Sequence, residues 1–119
     1  MLRYHPLQPD PDALPPSQVR FKSVKVEPWP EGRKVRVLMD ITPFQQPPNI
    51  EVTITDLEGH EITSAHIIEN VDYRLVITLH LRKIVPQTQY RLIVRMIYPD
   101  VGAVDEQSLI FELLPPPEA

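Results

Sequence analysis

Along most of this chain, apolar and polar residues alternate with a period of two, the spacing of a strand with one buried face. Arg33–Thr42 sets Val35, Val37, Met39 and Ile41 on one side. Asn49–Thr55 opposes Ile50, Val52 and Ile54 to Glu51, Thr53 and Thr55. Tyr73–Lys83 places Leu75, Ile77, Leu79 and Leu81 on one face and Arg74, Val76, Thr78, His80 and Arg82 on the other. Thr88–Tyr98 turns Tyr90, Leu92, Val94, Met96 and Tyr98 inward, and Gln107–Leu114 does the same with Leu109, Phe111 and Leu113. Val19–Glu27 predicts a further strand whose phase slips by one at Ser23-Val24, the mark of a bulge or a sheet switch. His60–Ile67 predicts a short, less regular strand.

The gaps between these segments hold turn residues: Pro28-Trp29-Pro30-Glu31-Gly32, the stretch Pro43 to Pro48, Asp56-Leu57-Glu58-Gly59 and Glu69-Asn70-Val71-Asp72. No window shows helical spacing, and no internal repeat is visible. Seven short strands separated by turns predict an all-β antiparallel sandwich or barrel.

One passage narrows that choice. Ile84-Val85-Pro86-Gln87-Thr88-Gln89-Tyr90-Arg91-Leu92-Ile93-Val94 carries Pro86, Thr88 and Tyr90 at alternate positions and leads into a strand. It resembles the E–F passage of the fibronectin type III and immunoglobulin-like β-sandwich superfamily. There a tyrosine at the start of strand F hydrogen-bonds back to the backbone and locks the crossing between sheets. The resemblance implies a seven-stranded sandwich with sheets A-B-E and C′-C-F-G, in which Pro86, Thr88 and Tyr90 form a structural corner. Leu92 then stands where immunoglobulin domains place a disulfide cysteine. Such a fold implies no activity of its own.

Composition divides the chain. Five prolines lie in residues 1–18 and three more are Pro115, Pro116 and Pro117. Proline fixes φ and removes a backbone donor, so residues 1–18 and 115–119 are expected to be extended arms around a sandwich at 19–114. The N-terminal arm holds Arg3, Pro6 and Pro9 in a spacing similar to SH3 ligands, which a proline-rich arm also reaches by chance. There is no cysteine, hence no disulfide or thiolate site. The first residues lack the apolar run of a signal peptide, and no window approaches the roughly 20 apolar residues of a membrane span. A cytoplasmic location is expected. The net charge is −4 with both signs spread along the chain, so neither nucleic acid nor a membrane is expected as partner.

Little points to chemistry. Gly32, Gly59 and Gly102 are isolated, so no phosphate-cradling loop exists. Ser17, Ser23, Ser64 and Ser108 have no nucleophile-elbow context. His60, His66 and His80 match no zinc spacing. Asp10, Asp12, Asp100, Asp105 and Glu106 are loop or arm carboxylates, of which calcium would need six or more converging oxygens. The expectation is no enzyme, no cofactor and no metal.

The outward face of strand F is unusual. It presents Arg91, Ile93, Arg95 and Ile97, and strand G adds Ile110 beside it. An apolar centre with an arginine-bearing rim, here Arg91, Arg95, Glu51 and Glu112, is how many interfaces are built. Three exposed isoleucines would each forgo roughly 1.5–3 kcal/mol of burial unless covered. The cover could be a protein partner, a second copy forming a homodimer, or the arm anchored by Tyr4, Leu7 or Leu14. The expected function is a non-catalytic binding or self-assembly module. The alternative is an accessory domain that recognises an extended peptide or glycan through its loops or a sheet edge, which gains if Trp29, Phe44, Tyr73 and Tyr98 cluster at one end.

Overall fold

The computed structural model describes residues 10–29, 33–81 and 89–113. Seven strands carry the fold: β1 (Phe21–Pro28), β2 (Lys34–Ile41), β3 (Asn49–Asp56), β4 (Glu61–Ile67), β5 (Arg74–His80), β6 (Gln89–Tyr98) and β7 (Gly102–Glu112). All pair antiparallel, in a three-stranded sheet β1-β2-β5 and a four-stranded sheet β4-β3-β6-β7. This is the arrangement expected for A-B-E and C′-C-F-G. Among the described residues the only helical piece is one 3-10 turn, Pro16–Gln18, and no helix is long and apolar enough to cross a membrane.

The alternation read from the sequence fills the space between the sheets. Val35, Val37, Met39 and Ile41 of β2, Ile50, Val52 and Ile54 of β3, and Leu92, Val94 and Met96 of β6 are each 2% exposed or less. They belong to one apolar cluster that also takes in Leu75, Leu79, Tyr90, Tyr98 and Phe111. Each such side chain contributes roughly 1.5–3 kcal/mol by leaving water, which makes the period-two pattern the main determinant of register.

The phase slip in the first strand is a bulge: the pairing with β2 shifts between Phe21 and Ser23. Strand β7 starts at Gly102, five residues before the expected Gln107. Its pairing shifts between Met96 and Ile97 of the neighbouring strand, and Asp105 and Glu106 sit within it. A bulge and two carboxylates hide the strand period from the sequence. The Pro86 and Thr88 part of the expected corner lies outside the described residues. Tyr90 is buried, its ring centroid 6.1 Å from that of Phe111.

The described part of the N-terminal arm, residues 10–18, is bound to the sandwich. Leu14 makes a parallel bridge to Phe44. Its N–H donates to Pro43 O at 3.0 Å, its carbonyl accepts the Gln45 N–H at 2.9 Å, and the Gln45 amide donates to Ala13 O at 3.1 Å. Leu14 keeps the backbone N–H that the neighbouring Pro15 and Pro16 lack, and its side chain packs against the core as the apolar anchor.

Candidate functional site

The outward face of the β4-β3-β6-β7 sheet is a set of cross-strand rows fixed by register. Asn49, Ile97 and Ala103 make one row. His66, Glu51, Arg95 and Glu106 make the next. Ser64, Thr53, Ile93 and Ser108 follow, then Thr55, Arg91 and Ile110. Arg91, Ile93, Arg95 and Ile97 are half-buried by these neighbours, whereas Ile110 is 51% exposed.

Arg95 organises the face. Its guanidinium lies 3.4 Å from Glu51 Oε1 on one side and 3.3 Å from Glu106 Oε1 on the other. This charged row runs between Ile93 and Ile97. Ile110, opposite Arg91, lies diagonal to Ile93, a distance that long side chains span. The five expected interface residues thus share one face, with the isoleucines divided by the Arg95 row into an Ile93–Ile110 pair and a separate Ile97. In the described part of the arm, Ala13 and Leu14 are held to Pro43, Phe44 and Gln45 in the loop after β2, and the Pro16–Gln18 turn packs against β7.

The aromatic residues divide by end. Phe44 and Tyr73 meet edge to face at 4.8 Å between centroids, near the loops at the end where the arm packs. Tyr98 joins them there, its hydroxyl donating to Gln46 O at 2.8 Å, and burial pushes its pKa up to about 12. Trp29 lies at the opposite end, beyond β1, with Lys34 Nζ 4.9 Å and the Arg36 guanidinium 6.0 Å from its ring. Phe44 and Tyr98 are buried, so among the described residues the rings at this end form a packed buttress. The loops there do expose Ile68, Val71 and Val101.

Of the carboxylates, Asp105 accepts the Phe21 N–H at 2.8 Å, Asp10 accepts the Asp12 N–H at 2.8 Å, and Glu106 pairs with Arg95. None of these converges with another into a cage. Asp56, Glu58 and His60 do bring donor atoms within 4.8 Å of one another. Their geometry is that of a turn. Asp56 Oδ1 accepts the N–H groups of Glu58 and His60 at 2.9 and 2.8 Å, and its Oδ2 meets His60 Nδ1 at 2.9 Å. The His60 backbone N–H, and after it the His60 ring, hold Asp56 below the usual carboxylate range, and the Asp56 carboxylate in turn raises His60.

The outer face of the β1-β2-β5 sheet was not singled out by its sequence, because its residues come from three distant segments. Its rows are Ser23, Asp40 and Arg74; Lys25, Leu38 and Val76; Glu27, Arg36 and Thr78; and Lys34 with His80. Asp40 accepts from Arg74 Nε at 2.8 Å and from Ser23 Oγ at 2.9 Å, and these bonds lower its pKa. A shallow depression of about 190 Å³ lies over Leu38 and Val76 between Lys25 and Arg74.

No protein-family model and no curated protein sequence matches this chain. Solved structures do resemble it. The β-glucuronidase from Ruminococcus gnavus in complex with D-glucaro 1,5-lactone superposes with a TM-score of 0.53 at 14% identity, over 81% of this chain and 16% of that one. The Parabacteroides merdae β-glucuronidase with glycerol in its active site superposes with a TM-score of 0.64 at 12% identity, over 81% of this chain and 14% of the enzyme. The chain thus spans about a seventh of the length of those enzymes. At such identity the likeness shows the fold alone: an all-β sandwich that also occurs as a small part of much larger chains.

Proposed function

We propose that this chain is a non-catalytic β-sandwich module of the immunoglobulin-like, fibronectin type III-like kind. Through the outward face of the β4-β3-β6-β7 sheet it associates with a protein partner or with a second copy of itself. The observation that carries this reading is the Ile93–Ile110 pair on adjacent strands, with Ile110 half exposed at 51% and the Arg95 row alongside. Apolar residues bordered by arginine-centred ion pairs match the anatomy of interfaces. The strand order and the Pro86-x-Thr88-x-Tyr90 sequence support the superfamily, and the occurrence of the same fold within larger chains suits a module.

Light-scattering mass and partner capture, with and without Ile93→Glu, test the proposal. The charge is expected to lower the mass or abolish capture while the far-ultraviolet circular dichroism stays unchanged. A monomer whose mass and capture are both indifferent to Ile93→Glu and Ile110→Glu would remove the proposal.

A further inference from the structure

The four outer strands of the sandwich are not equally protected. Unpaired strand edges invite pairing with another chain, and proteins blunt them with prolines, charges and bulges. The ladder of β1 has a bulge at Phe21/Ser23, and Pro28 ends that strand. Those of β4 and β7 shift register at Ile54/Thr55 and at Met96/Ile97. Strand β5 alone pairs in unbroken register, from Lys34↔His80 to Asp40↔Arg74, and its sequence Arg-Leu-Val-Ile-Thr-Leu-His has neither proline nor carboxylate.

Hydrogen-bond parity fixes what β5 leaves unpaired. The Ile41 N–H donates to Tyr73 O at 2.7 Å, and the Leu81 N–H donates to Arg33 O at 2.8 Å. Antiparallel bonding alternates, so the odd-numbered residues of β5 bond to β2. The N–H and C=O groups of Arg74, Val76, Thr78 and His80 therefore point away from the sheet. No backbone partner within the described residues meets them. On the inner side of the same edge, Ile77 is only half-buried between the well-buried Leu75 and Leu79.

Charge selects the occupant. The outer face beside this edge carries Lys34, Arg36 and Arg74 against Asp40, with Lys25 and Glu27 farther off on β1. Arg74 pairs with Asp40 and Arg36 with Glu27, which leaves the face with a net positive charge in a chain whose net charge is −4. A second copy added edge to edge would set two basic faces side by side. We infer that the β5 edge receives an extended segment of another protein, added as a further antiparallel or parallel strand, in which apolar residues alternate with Asp or Glu. Its backbone takes up the free groups of Arg74, Val76, Thr78 and His80. Its apolar side chains extend the core row beside Ile77, and its carboxylates lie toward the basic face.

The probe is a short peptide alternating Val with Glu, titrated into isotope-labelled protein, with a Val/Lys peptide as control. Amide shifts are expected at Arg74, Val76, Thr78 and His80, with binding at least tenfold weaker for the Val/Lys peptide and in high salt. Val76→Pro deletes one outward N–H that the β2 ladder does not use. It is expected to abolish binding with the circular dichroism retained. Should that variant fail to fold, Arg74→Glu is expected to weaken binding of the Val/Glu peptide at least several-fold. Equal binding of the two peptides, shifts confined to the Ile93 face, no binding of either, or self-association through β5 would each overturn the inference. Because Ile93→Glu lies on the other sheet, it should leave this binding unchanged.

Discussion

The carboxylate of Asp105 on β7 accepts the backbone N–H of Phe21 on β1 at 2.8 Å, bridging the two sheets. The Gln107 amide completes the contact by donating to Phe21 O at 3.3 Å. Both Phe21 groups need an outside partner because the chain just after β2 bonds to Arg20 instead, the Thr42 N–H donating to Arg20 O at 3.0 Å and the Thr42 hydroxyl accepting the Arg20 N–H at 2.9 Å. Side chains of β7 thus close the edge of β1 at its bulge. Asp105→Ala would leave the Phe21 N–H, in a residue 4% exposed, without its acceptor. The expected loss is about 1–3 kcal/mol in urea unfolding, with Asp105→Asn recovering part of it through its amide oxygen.

The architecture was legible because most strands keep a strict period of two. Residues such as Val35, Val37 and Met39, or Leu92, Val94 and Met96, name their face without help from the rest of the chain. What the pattern could not carry was anything set by pairing across distant segments. That Arg95 sits between Glu51 and Glu106, and so divides the isoleucines of its own strand, depends on two registers. The early start of β7 was concealed by its bulge. The docking of Leu14 rests on backbone bonds to the loop after β2, which leave no mark in composition. The basic face beside β5 is assembled from three segments, none basic enough alone to be noticed.

Tyr98 offers a test of packing at the arm end. Its pKa is raised to about 12 by burial, so the unfolded chain ionises first as pH rises past the ordinary value of 10.0. The unfolded state then binds fewer protons than the native one. Stability is expected to be fully present below pH 10 and to fall between about pH 10 and 12. The fall should be shallower in Tyr98→Phe, which at neutral pH costs about 0.5–1.5 kcal/mol for the lost bond to Gln46 O. Denaturant midpoints across that range measure both effects.

The Asp56–His60 pair predicts the opposite limb. The raised pKa of His60 means its contribution is complete below the ordinary 6.5 and is lost as pH rises through the folded value. The lowered pKa of Asp56 means its contribution is present above 3.8 and is lost as pH falls through a value below that. The two overlap between pH 3.8 and 6.5, where the turn should be tightest. A proton-resonance titration of His60 is expected to show a midpoint above 6.5. Asp56→Asn keeps the oxygen that accepts the Glu58 and His60 N–H groups, and should bring that midpoint back toward the ordinary value. An unshifted midpoint in the parent protein would contradict the geometry.

The turn that carries this pair also depends on Gly59, whose φ of +94° lies where side chains are strained although nothing crowds the position. Its N–H donates to Asp56 O at 3.2 Å. Gly59→Ala is expected to cost about 1 kcal/mol from backbone strain alone, partly offset by the lower entropy of the unfolded chain. Glu69 gives the converse case, with a φ of 50° held while the Asn49 side chain accepts its N–H at 2.8 Å. Glu69→Gly should therefore be neutral or stabilising by up to about 1 kcal/mol, since relief of strain opposes the added freedom of glycine. The urea midpoint should fall in Gly59→Ala and hold or rise in Glu69→Gly, and a Glu69→Gly loss as large as that of Gly59→Ala would contradict this account.

Arg95 separates stability from association. Its side chain is 42% exposed, and those of its partners Glu51 and Glu106 are 30% and 60% exposed. Exposed pairs contribute about 0–1 kcal/mol each and are screened by salt, so Arg95→Ala should shift the urea midpoint only slightly, and less in high salt. By contrast, Leu92→Ala removes a fully buried side chain from the same strand and should cost about 2–5 kcal/mol. Arg95→Leu would lose the same ion pairs while joining Ile93 to Ile97 in a continuous apolar strip. Its stability should match that of Arg95→Ala, but its light-scattering mass should rise with concentration, because the charged row that divides the isoleucines has been removed. If Arg95→Ala instead costs as much as Leu92→Ala, Arg95 is a structural element of the sheet, and its place on the face says nothing about partners.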